Sequence, residues 1–311
     1  MKGIIQAVCI SKKRGTVKRP VEGALLIEGF GIEGDAHGGS WHRQVSLLSA
    51  EQAAAFNARG GNAEPGDFGE NLLVSGIDFA SLPVGTRFAG PGFVMKLTQI
   101  GKECHSHCEI FRRVGDCIMP RQGVFAVVEQ GGLVTAGQEL EVVLPKGDEP
   151  LTAAVITLSD KGSVGERVDT AGPQAAAMLR AAGYEIIEQL LLPDEQQLIE
   201  KELKRLADQR QVDLIITSGG TGMSLRDCTP EATLAVATRN VPGIAEAIRA
   251  GSMQYTPRAM LGRGASVLRN MTLIVNLPGS KKAVEESLGL VLPQLEHGLR
   301  ILKGSAAECG R

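Results

Sequence analysis

The chain has 311 residues, and 33 Lys+Arg against 35 Asp+Glu give a formal net charge of -2. That balance argues against a nucleic-acid binder, whose Lys and Arg would dominate and cluster, and no apolar run approaches the roughly 20 residues that span a bilayer. The length suits two domains of roughly 100–200 residues each.

The N-terminus, MKGIIQAVCISKKRG, is apolar but short and lacks a small-residue cleavage site, so it reads as a first strand rather than a signal peptide. The expected location is the cytoplasm. Up to residue 145 short runs rich in Val, Ile and Leu succeed one another: IIQAVCIS, GALLIEG, QVSLLS, ENLLVSG, FVMKLTQIG, GVFAVVEQGG and QELEVVL. Gly and Pro break them at short, uneven spacing, which predicts a mainly β, barrel-like or sandwich domain over 1–145. A single helix, SAEQAAAFNARGG, interrupts the strands, with Ser49 as its N-cap and Gly60-Gly61 as its stop. The stretch Gly31 to Gly39, which holds Asp35 and His37 and is followed by His42 and Arg43, reads on its own as a surface loop.

Six cysteines are too few for a disulfide framework in a chain of this length. Cys104, Cys108 and Cys117 nevertheless crowd together, with His105 and His107 between the first two. In a reducing compartment that clustering points to metal or thiol chemistry. In a loop Cys104, His105, His107 and Cys108 could meet one metal, although the tight spacing strains a single tetrahedral site. Alternatively Cys104 and Cys108 form a redox pair or assist Cys117. A buried inert thiol is the usual fate of one cysteine. A Cys117 thiolate near Arg112, Arg113 or Arg121 would instead be available to a soft metal or a persulfide.

Residues 146–150, within the run PKGDEP, form the predicted linker. Beyond it strand and helix alternate. TAAVITLS, YEIIEQLLL, VDLIITS and TLIVNLPG read as strands. GPQAAAMLRAAG, DEQQLIEKELKRLADQ, TPEATLAVATR and SKKAVEESLGLVLPQLEHGLRIL read as helices. This grammar predicts a mostly parallel sheet covered on both faces over 151–311. Ligands then bind at the carboxyl ends of strands.

The unusual turns fall at those ends. Ser218-Gly219-Gly220-Thr221-Gly222 leaves its backbone N–H groups bare enough to touch a phosphate. Asp194 and Asp227 each precede a helix; the plain reading is a cap, and the functional one is a carboxylate that binds Mg²⁺ beside a phosphate loop. Ser159-Asp160 and Pro278-Gly279-Ser280 complete one rim.

The motifs ITLSDKGSVG, LLPDEQ, TSGGTG, RDCTPEAT and NLPGS, in that order, resemble the MogA/MoaB molybdopterin-binding family over essentially all of 151–304. The resemblance implies a three-layer α/β/α domain, commonly trimeric, that binds the dithiolene pterin and transfers AMP from ATP to its terminal phosphate with Mg²⁺. The family's essential acids match Asp194 and Asp227. Its ligand-binding turns match Ser159, Asp160, Gly219, Gly220, Thr221, Gly222, Pro278, Gly279 and Ser280. In the first domain GIEGDAHGG, PGDFGENLLVSGID, QIGKECHSHCEIF and GDCIMPRQGVFAVVEQGG together resemble the MOSC domain, related to the C-terminal domain of molybdenum cofactor sulfurases. That implies a barrel-like fold that binds molybdenum cofactor and transfers sulfur or metal, with Cys117 as its characteristic cysteine and Mo or W as the soft metal.

Three functions follow as expectations. The leading one is molybdopterin adenylylation by a homo-oligomer, with the first domain binding or sulfurating the cofactor and with a molybdenum insertion protein or molybdoenzymes as partners. The others are a non-catalytic cofactor carrier and a metal sensor built on Cys104–Cys108.

Overall fold

The computed structural model describes residues 1–103, 111 and 116–304. The Cys104, His105, His107 and Cys108 cluster, Arg112 and Arg113 lie outside the described residues. The chain divides into two compact units, Met1–Lys146 and Gly147–Arg311. No described helix is long and apolar enough to cross a membrane.

The first unit contains strands β1 (Lys2–Ile10), β2 (Arg19–Val21), β3 (Gly23–Ile27), β4 (Gly31–Ile32), β5 (Val45–Ser49), β6 (Leu72–Ser75), β7 (Arg87–Gly90), β8 (Phe93–Ile100), β9 (Val124–Gln130), β10 (Gly132–Thr135) and β11 (Glu139–Val143), with helices α1 (Ala50–Ala58) and α2 (Met119–Gln122). The main sheet runs β11-β7-β8-β9-β5-β6-β1-β2, and β11 also pairs with β1, with Lys2 opposite Glu141. Seven strands therefore close into a barrel and β2 hangs on β1. Closure removes the exposed edges that a β domain must otherwise protect. Within the ring β5 and β6 alone among the described pairs run parallel, and α1 is part of the crossover that parallel strands require.

Period-two burial carries this architecture. In β8 Phe93, Met95, Leu97 and Gln99 point inward and their neighbours are half-buried. Ile5, Leu47, Val74, Phe88, Met95, Leu97, Val124, Ala126 and Leu140 meet in one interior cluster. Each such aliphatic or aromatic side chain contributes on the order of 1.5–3 kcal/mol by leaving water.

The second unit has strands β12 (Thr152–Leu158), β13 (Glu185–Leu192), β14 (Leu214–Ser218), β15 (Arg239–Asn240), β16 (Ser266–Arg269) and β17 (Thr272–Leu277). Its helices are α3 (Asp160–Ser163), α4 (Ala171–Ala181), α5 (Gln196–Lys204), α6 (Thr229–Ala235), α7 (Pro242–Ser252) and α8 (Lys281–Leu302). The sheet order is β13-β12-β14-β17-β16-β15; the first four are parallel, while β16 and β15 add an antiparallel edge. Every residue of β14 and β17 is buried, as strands covered on both faces require. Alternate residues feed two separate cores. Val155, Ile216 and Val275 pack with Leu179 of α4 and Leu288 of α8, whereas Ile156, Ile215 and Ile274 pack with Leu203 of α5 and Ala232 of α6.

Candidate functional site

Parallel register brings the four predicted turns to one edge of the sheet. Leu158 stands opposite Leu192, Thr157 opposite Ser218, and Ser218 opposite Leu277, so the chain leaves β12, β13, β14 and β17 side by side. Ser159, Asp160, Asp194, Gly219, Gly220, Asp227, Gly279 and Ser280 line one cavity of about 410 Å³. Thr221, Gly222 and Pro278 line a second hollow of about 410 Å³, with the apolar Ile248 and Leu261 and the polar Arg249 and Asn276. The structure thus distributes the sequence-predicted residues of this unit over two neighbouring hollows.

The turns are locked to one another by backbone hydrogen bonds. The Asp160 N–H donates to Asp194 Oδ2 at 3.1 Å, and the Asp194 N–H donates to Asp160 Oδ1 at 3.0 Å. Asp194 therefore does not cap α5; its carboxylate spans to the neighbouring turn, and Glu195 occupies the cap position without a side-chain bond. Asp194 Oδ1 is buried with no hydrogen-bond partner among the described residues. Burial, with Asp160 and Asp227 adding to it, pushes this carboxyl above the usual range. Asp160 is held below that range by the Arg226 guanidinium and by the Asp194 N–H. Asp227 likewise leaves α6 uncapped, and its Oδ2 accepts the Ser224 N–H at 2.9 Å.

Gly220 (φ +62°) is required where it stands, since a Cβ there would lie 2.3 Å from Thr229 Oγ1 and 2.7 Å from Asp194 Oδ1. Thr229 Oγ1 in turn donates to the Gly219 carbonyl at 2.9 Å. Ser218 Oγ donates to the Pro278 carbonyl at 3.0 Å, and a Cβ on Gly279 would come within 3.0 Å of Gly219 Cα. Ser159 caps the short α3, accepting the Gly162 N–H.

Two arginines outside the predicted site residues hold the rim. Arg263 donates to the Gly222 and Asp227 carbonyls and pairs with Glu231, bracing the glycine loop. Arg226 pairs with Asp160. Arg226 opens the RDCTPEAT motif, whereas Arg263 sits in no motif that distinguishes it from a solvated surface cation. Among the described residues no group of three or more His, Cys, Asp and Glu is arranged to hold a metal ion. A pair of carboxylates with one oxygen uncommitted suits Mg²⁺, which keeps several waters and takes few protein ligands beside substrate phosphates.

In the first unit Cys117 is buried at 7% exposure in a cluster with Cys9, Phe56, Phe68, Met119 and Phe125. Its N–H donates to Asp116 Oδ1 at 2.7 Å, and Arg121 reaches Asp116 at 3.5 Å. The Gly31–Gly39 stretch is not a plain surface loop. The Asp35 side chain is fully buried and accepts from the Ser11 and His37 N–H groups, from Asn71 Nδ2 and from Lys18 Nζ at 2.5 Å. Lys18 is 1% exposed, and burial lowers its pKa. Asp35 is net lowered: burial opposes its ionisation, but His37 and Lys18 outweigh it. Buried Glu70 is pushed up to about 7 by desolvation. A loop of glycines carrying Glu33 and Asp35 gave no signal that Asp35 would be drawn inward by a lysine 17 residues away.

Comparison with known proteins agrees with this division. Residues 154–297 match the family described as "Probable molybdopterin binding domain", and residues 34–141 match the MOSC domain. The molybdopterin adenylyltransferase of Haemophilus influenzae is 43% identical over 140 residues, spanning 44% of this chain and 71% of that protein. The molybdopterin adenylyltransferase of Helicobacter pylori J99 is 38% identical over 153 residues, spanning 49% and 87%. A crystal structure of the molybdopterin biosynthesis enzyme MoaB of Thermus thermophilus shares 45% identity over 50% of this chain and 97% of that one, with a TM-score of 0.48.

Proposed function

Through its second unit the chain belongs to the molybdopterin-binding family that includes these adenylyltransferases, and from that membership we propose that it transfers AMP from ATP to the terminal phosphate of molybdopterin. A pterin phosphate oxygen attacks the α-phosphorus, the bond to the β,γ-phosphates breaks, and pyrophosphate leaves. No protein nucleophile is needed; alignment and neutralisation of charge do the work. Gly219, Gly220, Thr221 and Gly222, with Pro278, Gly279 and Ser280, form the turns whose backbone donors would meet phosphate oxygens. Asp194 and Asp227 are the residues that would hold Mg²⁺, which when bound supplies the positive charge that the leaving pyrophosphate needs.

The observation that carries this reading is the convergence of Asp194 and Asp227 on a cavity floored by Gly219 and Gly220, with one Asp194 oxygen left unpartnered among the described residues. For the first unit the same reading assigns cofactor binding, or sulfur transfer through Cys117. Fusion would keep one unit's product at raised local concentration near the other. Purified protein incubated with molybdopterin, ATP and Mg²⁺ should yield adenylylated pterin, identified by mass spectrometry. Tight pterin binding with no such product would make the chain a carrier instead.

A further inference from the structure

Arg226 has no part in the scheme above. Its guanidinium grips Asp160 with two bonds, Nη2 to Oδ1 at 2.8 Å and Nε to Oδ2 at 3.0 Å. Both side chains are substantially exposed, 59% and 44%, where an ion pair adds little to stability. A two-pronged contact that does little for the fold is a reason to ask what else the guanidinium could hold.

Its surroundings supply the answer. Asp160 lines the cavity described above, Arg226 lines a neighbouring acidic hollow with Glu195 and Glu200, and Asp194 lines both. Asp160, Asp169, Asp194 and Asp227 line the first cavity, with Lys161 and Arg167 as the cations already there. An arriving phosphate meets more carboxylates than cations there, and like charges repel unless a further cation meets them. The planar guanidinium fork fits two phosphate oxygens as well as it fits two carboxylate oxygens. The loop that carries it is lightly packed: Met223 and Leu225 beside it are 72% and 105% exposed. The side chain can therefore leave Asp160 without disturbing a core.

We propose that Arg226 is a phosphate-binding residue held in reserve by Asp160, and that it exchanges the carboxylate for oxygens of an arriving phosphate group. The phosphate is that of the nucleotide or the terminal one of the pterin. The proposal rests on the adenylyl-transfer reading. It makes Asp160 a competitor of the substrate for one cation, so the two partners of a single ion pair should act in opposite directions.

Isothermal titration with ATP and with inorganic pyrophosphate, beside KM and kcat for both substrates, tests this on the full chain. Arg226→Ala should weaken phosphate binding and raise KM roughly 10- to 100-fold, the size expected for a lost charge-assisted contact. Arg226→Lys should fall between, because an ammonium lacks the fork. Asp160→Asn keeps an oxygen for the Asp194 N–H but loosens the hold on Arg226, so it should tighten binding, and the double variant should behave like Arg226→Ala. A KM rise for ATP alone identifies the triphosphate as the ligand, and a rise for the pterin alone identifies the pterin phosphate. Equal weakening by Asp160→Asn and Arg226→Ala would reduce the pair to scaffolding and overturn the proposal, as would an Arg226→Ala chain with unchanged affinities and KM values. If Arg226→Ala fails to fold, Arg226→Lys and Asp160→Asn carry the same contrast. A wild-type chain that binds pyrophosphate yet makes no adenylylated pterin would sink the activity, and the titrations would still decide the arginine.

Discussion

Asp160 and Asp194 hold each other's backbone: the carboxylate of each accepts the N–H of the other, at 3.0 and 3.1 Å. The exchange fastens the turn after β12 to the turn after β13 and fixes Asp194 with its second oxygen aimed at Gly220. A carboxylate so placed is poised before any ligand arrives, which is the condition for stabilising charge at no cost of reorganisation.

If Asp194 and Asp227 neutralise charge in the transition state, Asp194→Asn and Asp227→Asn should each lower adenylyl transfer by about 10²–10³-fold, the usual effect of removing one preorganised electrostatic group. The amides keep the shape of the side chains, so melting temperatures should shift little. Turnover within a factor of about two of wild type for either variant would remove that residue from the reaction.

Gly220→Ala forces a side chain into a left-handed turn and against Thr229 and Asp194. It should cost about 1–3 kcal/mol of stability, read from denaturant midpoints, and abolish turnover by displacing Asp194. Gly243, near the start of α7, is the control: a Cβ there meets nothing within 4 Å. Gly243→Ala should be neutral or stabilising by about 0.5–1 kcal/mol.

The barrel should carry a pH signature of Glu70. Its carboxyl ionises at about 7 when folded against 4.5 for an ordinary glutamate. The folded value is the higher, so the stabilisation from holding the proton is complete below 4.5 and is lost as the pH rises through 7. Glu70→Gln keeps an acceptor for the Gly66 N–H and has nothing to ionise. Relative to wild type, the variant should gain about 3 kcal/mol between acid and mildly alkaline conditions. Parallel stability profiles for the two chains would show that Glu70 does not titrate there.

Cys117→Ala should leave adenylyl transfer intact, because the residue belongs to the first unit. It should abolish persulfide labelling or cofactor retention by that unit. Retention of both would assign Cys117 to packing in the apolar cluster that also holds Phe125 and Met119.

Long, uninterrupted apolar runs were legible from sequence: VDLIITS and TLIVNLPG are β14 and β17 with their rim turns, and FVMKLTQIG is β8. Short elements were not. Arg87–Gly90 ends in glycine and holds a single core residue, Phe88, and Ser266–Arg269 follows a glycine-rich run, so neither shows a period. Helix α7 opens Pro-Gly, which reads as a turn, although proline suits a first helical turn. Closure of the barrel through Lys2 and Glu141 joins residues too far apart for any local pattern to announce. At the rim, residue types located Asp194 and Asp227, but Arg226 and Arg263 act through partners 66 and 41 residues away.

The close approach of Gly279 to Gly219 has a consequence for engineering. With 3.0 Å between a Cβ on Gly279 and the Cα of Gly219, a side chain at Gly279 must push the glycine turn after β14 aside by a few tenths of an ångström. Attempts to widen or recolour the pocket for altered pterins or nucleotides belong in the loop bearing Met223 and Leu225, whose side chains already face solvent. Libraries built there explore new specificity on an unaltered foundation, whereas libraries built on Gly219 and Gly220 shift the turns that hold the site.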